Sequence, residues 1–87
     1  MAQLKTNKGI TMLRGYVVLD YLDMHPQGFS TSYQGACKIV AALTKRDFGK
    51  AIVAREAQFK YAEANGYDDY PWFYDIYKFD NRGLVRC

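Results

Sequence analysis

From Trp72 to Phe79 the side chains follow a period of two. Trp72, Tyr74, Ile76 and Lys78 fall on one side of an extended chain, and Phe73, Asp75, Tyr77 and Phe79 on the other. A helix would scatter the same residues around its circumference, so this period commits the segment to a strand. Pro71 suits a strand start because it has no N–H to give to a ladder. Asp80-Asn81-Arg82-Gly83 is turn chemistry, and Leu84–Arg86 reads as a short return strand, which makes a C-terminal β-hairpin. Alternation sends one face of this hairpin inward and leaves the other to be explained.

Upstream the period is helical. Residues 1–9 are polar and are expected to fray. Thr11 can cap a first helix from Met12 to about Met24, apolar nearly all round and interrupted by Arg14, Asp20 and Asp23. Pro26 would end it, and Phe29 in the short "PQGFS" connector is expected to plug the core. Thr31 and Gln34 match a capping box, which starts a second helix near Ser32 with Tyr33, Ala36, Cys37 and Val40 as its buried stripe and Ile39 and Leu43 beside it. Thr44 and Asp47 suggest a fresh start. A third helix is expected from about Asp47 to Asn65, with Phe48, Ile52, Phe59 and Ala62 on one face and Gly66 as a left-handed stop. The expected fold is therefore a single α+β domain over residues 1–87: a three-helix layer followed by a C-terminal β-hairpin.

Composition narrows the functional classes. The chain is 49% hydrophobic and 24% charged, too apolar for a disordered segment. No apolar run is long enough to span a bilayer and no leader is apparent, which leads to the expectation of a cytoplasmic protein with no membrane contact. Two cysteines make no disulfide framework and read as free thiols, Cys37 in the core and Cys87 exposed. The lone histidine, His25, adjoins Pro26 and has no nucleophile beside it, and Asp20 and Asp23 are placed on the exposed edge of the first helix. No catalytic residues are assigned. Cysteine and histidine spacing offers no metal site, Asp68, Asp69, Asp75 and Asp80 do not follow a calcium loop, and no phosphate-binding loop is present, so no cofactor is expected.

Two binding surfaces remain. The net charge of +3 permits nucleic-acid binding without requiring it. Lys45, Arg46 and Lys50 gather at the start of the third helix, Arg55 follows, and Arg82 occupies the hairpin turn. Three helices followed by a hairpin carrying these cations resemble a winged-helix DNA-binding domain. That resemblance implies a transcriptional regulator whose third helix enters the major groove and whose hairpin touches the backbone, with Lys45, Arg46, Lys50, Arg55 and Arg82 as phosphate contacts. The turn between the second and third helices, Thr44 to Asp47, departs from that pattern in lacking a glycine.

The acidic, aromatic stretch from Tyr67 to Tyr74 points elsewhere. Aspartates repel phosphates, whereas Tyr and Trp anchor protein interfaces. The leading expectation is a non-enzymatic protein that binds a protein partner through Tyr67, Asp68, Asp69, Tyr70, Trp72 and Tyr74. An unpaired strand edge also permits pairing with a second copy. In texture, such a compact, motif-free, aromatic-rich chain is similar to phage-encoded inhibitors of host enzymes or defence complexes, anti-CRISPR proteins among them.

Overall fold

A computed structural model of the chain describes residues 14–67 and 73–87. The N-terminal residues expected to fray, the Thr11 cap and Asp68, Asp69, Tyr70, Pro71 and Trp72 lie outside the described residues. The elements run β1 Gly15–Asp20, β2 Pro26–Ser30, α1 Tyr33–Phe48, α2 Arg55–Ala64, β3 Tyr74–Asp80 and β4 Gly83–Arg86. The strands form one antiparallel four-stranded sheet in the order β2-β1-β3-β4. The architecture is thus two helices against a sheet whose strands precede and follow them. It is not a three-helix layer, and the winged-helix order is absent. The C-terminal hairpin is present, as one side of this larger sheet.

The expected first helix is the largest correction. Its apolar run forms β1, and β2 follows where a connector was expected. β1 lies between β2 and β3, so both its edges are hydrogen-bonded, and Val17, Val18 and Leu19 are all buried. A run that is apolar on every side fits a central helix and a central strand equally well. The β-branched pair Val17–Val18 favours the strand, and the chain reverses at Tyr21–His25. Asp20 N–H still donates to His25 O (3.2 Å) and Met24 N–H to Asp20 O (3.1 Å), with Met24 at φ 57°. Pro26 therefore begins an edge strand, a position that tolerates its missing donor. Phe29 does not plug the core. Gly28 takes the inward place opposite Val18, where a Cβ would come within 3.0 Å of Ile39, and Phe29 points to the other face, 65% exposed.

The helices are also divided differently. Ser32 caps α1 by accepting from Gly35 N–H at 3.0 Å. The helix then continues for 16 residues, through Thr44 and Asp47, to a left-handed Gly49 at φ 79°. Lys45 and Arg46 occupy its last turn, where the helix dipole favours cations. Asp47 is thus near the end of a helix, not the start of one. Phe48 and Ile52 do not share a helix with Phe59 and Ala62. Thr44 caps no helix, because it lies inside α1. Fully buried, its hydroxyl donates to Ala41 O (3.2 Å) and accepts from Ile52 N–H (2.7 Å), tying down the 51–53 segment between the helices. α2 spans 10 residues, and its N-cap, Ala54, makes no side-chain hydrogen bond.

The core forms where α1 lies across one sheet face. Val18, Tyr74 and Ile76 meet Ala36 and Val40, flanked by Tyr16, Cys37, Ile39 and Leu43. Each large aliphatic buried here contributes about 1.5–3 kcal/mol relative to exposure. Both cysteines are free. Among the described residues no helix is long and apolar enough to cross a membrane.

Candidate protein-binding surface

Register and alternation determine what the second sheet face carries. α1 takes the face of Tyr16, Val18, Gly28, Tyr74 and Ile76. Val17, Leu19, Phe29, Asp75, Tyr77, Phe79 and Leu84 therefore stand on the opposite side. Val17 lies between Phe29 and Tyr77, and Phe79 lies between Gly15 and Leu84. Gly15 has no side chain, and beside it the Phe79 ring meets Phe29 edge-to-face at 6.1 Å and 87°. Phe29 is 65% and Leu84 55% exposed. α2 meets the sheet at the Tyr74–Asp75 end, through Gln58 and Arg55. Among the described residues, neither helix covers the Phe29–Phe79–Leu84 end of this face.

At the other end, α2 is anchored by polar groups that the sequence does not announce. Gln58 is fully buried, and its side-chain amide pairs with the backbone of Tyr74. Tyr74 N–H donates to Oε1 (2.9 Å) and Nε2 donates to Tyr74 O (3.0 Å), as a neighbouring strand would. Just past β4, Cys87 N–H donates to Ile76 O (2.9 Å), so Gln58 serves the same ladder edge beyond the end of β4. Phe73, with no exposed surface, sits among Phe59 (4.3 Å), Tyr21 (5.9 Å) and Phe48 (6.4 Å).

Tyr74, expected as a contact residue, is 3% exposed. Alternation puts it with Ile76 under α1, where its hydroxyl donates to the Asp47 carboxylate and accepts from Arg46 Nη2 at 3.1 Å. Arg46 also holds Asp47 through two bonds of 2.8 and 3.2 Å. Burial, then the adjacent Asp47 carboxylate, pushes the Tyr74 hydroxyl up to about 12. Burial also raises the Asp47 carboxyl, but its bonds from Arg46 and Tyr74 outweigh that and hold it below its ordinary value. A phenol whose pKa is raised on folding contributes stability below its unfolded value, about 10, and loses it as pH rises toward the folded value of about 12. Urea unfolding between pH 9 and 12 should show a loss of about 2 kcal/mol in the native chain. The Tyr74→Phe variant should lack that component.

The other expected contacts scatter. Tyr67 is 43% exposed and its ring packs on Phe48 at 5.9 Å, while Asp68, Asp69, Tyr70 and Trp72 lie outside the described residues. The expected DNA-contacting cations do not form one patch. Arg46 is paired with Asp47, and Lys50 lies 5.7 Å from the centre of the Tyr61 ring. Arg55 is 3.4 Å from Asp75 and 5.1 Å from the ring centres of Tyr21 and Phe59. Arg82 occupies the β3–β4 turn beside Asp80, roughly 20 Å along β3 from the Arg46 end by strand rise. The helix assigned to the major groove, 47–65, does not exist as one element.

A cleft of about 460 Å³ opens between the start of α2 and the end of β4. Its two arginines, Arg55 and Arg86, face Glu56 and Asp75, so its formal charges cancel. Burial raises the Asp75 carboxyl, with Arg55 and Arg86 offsetting part of the rise. No family model matches the chain, and neither does any curated protein or solved structure.

Proposed function

We propose that this chain is a non-enzymatic binding domain that docks on a protein partner through the Phe29–Phe79–Leu84 end of its sheet, which neither helix covers among the described residues. The supporting observation is the apolar group Phe29, Phe79 and Leu84, with Phe29 and Leu84 more than half exposed although both belong to regular strands. An inventory of aromatic and aliphatic side chains held on a rigid sheet loses little entropy on binding, which suits an interface anchor. Occupying a partner's surface in this way is also how an inhibitor without catalytic groups works. Arg46, Arg55 and Arg82 are each paired with an aspartate, which lends less support to DNA.

The test replaces Phe29 and Leu84 together by Ser, with circular dichroism as the check on folding. The native chain should capture a partner from its own cell extract, unaffected by nuclease and by moderate salt. The double variant should bind at least about 30-fold more weakly, the effect of a 2 kcal/mol anchor. A Tyr70→Ala/Trp72→Ala variant run beside it probes the segment before Phe73. Capture lost in that variant but kept in the sheet-face variant overturns this site. Capture abolished by nuclease, with affinity falling steeply in salt, overturns the protein reading in favour of nucleic acid.

A further inference from the structure

The connection between β1 and β2 gathers three metal-ligand side chains that the sheet-face reading does not use. One ligand atom each from Asp20, Asp23 and His25 lies within 4.8 Å of the other two. They converge because the chain turns back sharply. Asp23 N–H donates to Asp20 Oδ1 (2.6 Å), and the Asp20–His25 and Met24–Asp20 backbone bonds close the reversal. Gln27 Nε2 reaches Asp20 Oδ2 at 3.1 Å and orients that carboxylate from behind, the kind of outer contact that tunes metal ligands. Neither carboxylate has a lysine or arginine partner among the described residues.

We infer that Asp20, Asp23 and His25 bind a first-row divalent cation such as Mn²⁺ or Zn²⁺. Metal–ligand bonds of about 2.0–2.2 Å place neighbouring donors about 3–4 Å apart, so small rotations of the exposed Asp23 and His25 side chains toward the half-buried Asp20 bring these atoms into a coordination shell. Two carboxylates match the charge of the ion, and the imidazole favours a transition ion over Mg²⁺ or Ca²⁺, which take oxygen donors. Three protein ligands leave the remaining positions to water. The ion would clamp the end of β1 to the start of β2. The site is roughly 17 Å along β1 from Gly15, where the proposed docking face lies, so the two proposals stand or fall separately.

The experiment titrates the full chain, carrying no affinity tag, with MnCl₂. It is followed by calorimetry and by paramagnetic broadening of amide resonances. Mn²⁺ is the first probe because the thiols of Cys37 and Cys87 compete poorly for it; Zn²⁺ is then added as a competitor. Broadening should centre on Asp20–His25, with one ion per chain, and Mn²⁺ should raise the melting temperature. Asp23→Asn and His25→Ala should each weaken binding about tenfold or more and remove the thermal shift. Asp20 is left in place because its carboxylate also holds the turn. No binding at millimolar Mn²⁺, broadening centred elsewhere, or unchanged affinity in both variants overturns the inference.

Discussion

Replacing Phe73 by Ala should destabilise the domain by about 3–5 kcal/mol, the usual range for deleting a buried aromatic. The side chain has no exposed surface and joins three rings contributed by three segments: Tyr21 after β1, Phe48 at the end of α1 and Phe59 in α2. Its backbone carbonyl also receives Tyr21 N–H at 2.8 Å, so the residue sits where the first hairpin, both helices and β3 converge. Truncation would leave a cavity lined by rings that cannot easily collapse, since each is held from a different element. A domain with stability of about 5–15 kcal/mol would lose a large share of it. Urea unfolding checks this, and a cost below about 1.5 kcal/mol, typical of a well-accommodated swap, would show that these rings do not form a common core.

Gln58→Ala should cost about 2–6 kcal/mol, because it leaves two buried backbone groups of Tyr74 without partners and each lost pairing costs about 1–3 kcal/mol. A buried glutamine would otherwise be an unremarkable loss; here its amide stands in for a strand. Gln58→Glu sharpens the assignment. The carboxylate can still accept from Tyr74 N–H, but it faces Tyr74 O without a proton to donate and is buried as a charge. Burial raises such a carboxyl above its unfolded value, and a raised group favours folding at low pH. The Glu variant should therefore regain stability as pH falls and the carboxyl becomes a donor, whereas the Ala variant should show no such recovery. Parallel pH dependence in the two variants would disprove the strand-mimic role.

The exposed sheet face and these stability effects depend on placements that the residues disclosed unequally. The alternation from Phe73 to Phe79 marked β3, and Asp80–Gly83 marked its turn, because strand period and turn chemistry are local. The start of α1 was legible to within a residue, although the cap is Ser32 accepting from Gly35 N–H and not the Thr31–Gln34 capping box that the sequence suggested. Its end was not. Thr44 and Asp47 looked like a new beginning because a hydroxyl and a carboxylate cap helices, and only the three-dimensional position of Ile52 and Tyr74 shows that they serve other segments. Phe29 was assigned to the core because it is large and apolar, yet Gly28 beside it was the residue that could approach Ile39. Gln58 carries no sequence signal: a glutamine in a polar helix is ordinary until a strand edge lies within reach.

By itself, then, the sequence determined a small apolar-cored chain, a strand-period C-terminal hairpin, a helix beginning after Ser32 and the absence of a recognisable catalytic pattern. Tertiary structure decided the rest. Tyr16 to Leu19 is apolar on both sides, and such a run becomes a strand or a helix according to what flanks it; here β2 and β3 provide hydrogen-bonding partners on either edge. Which face of β3 turns inward was likewise open until α1 settled over Tyr74 and Ile76, leaving Phe79 beside Phe29 on the other side. The physical reason is one of range. Periodicity and capping are set by residues a few positions apart, whereas burial and edge pairing depend on segments distant in the chain, and the exposed apolar face exists only once those segments have met.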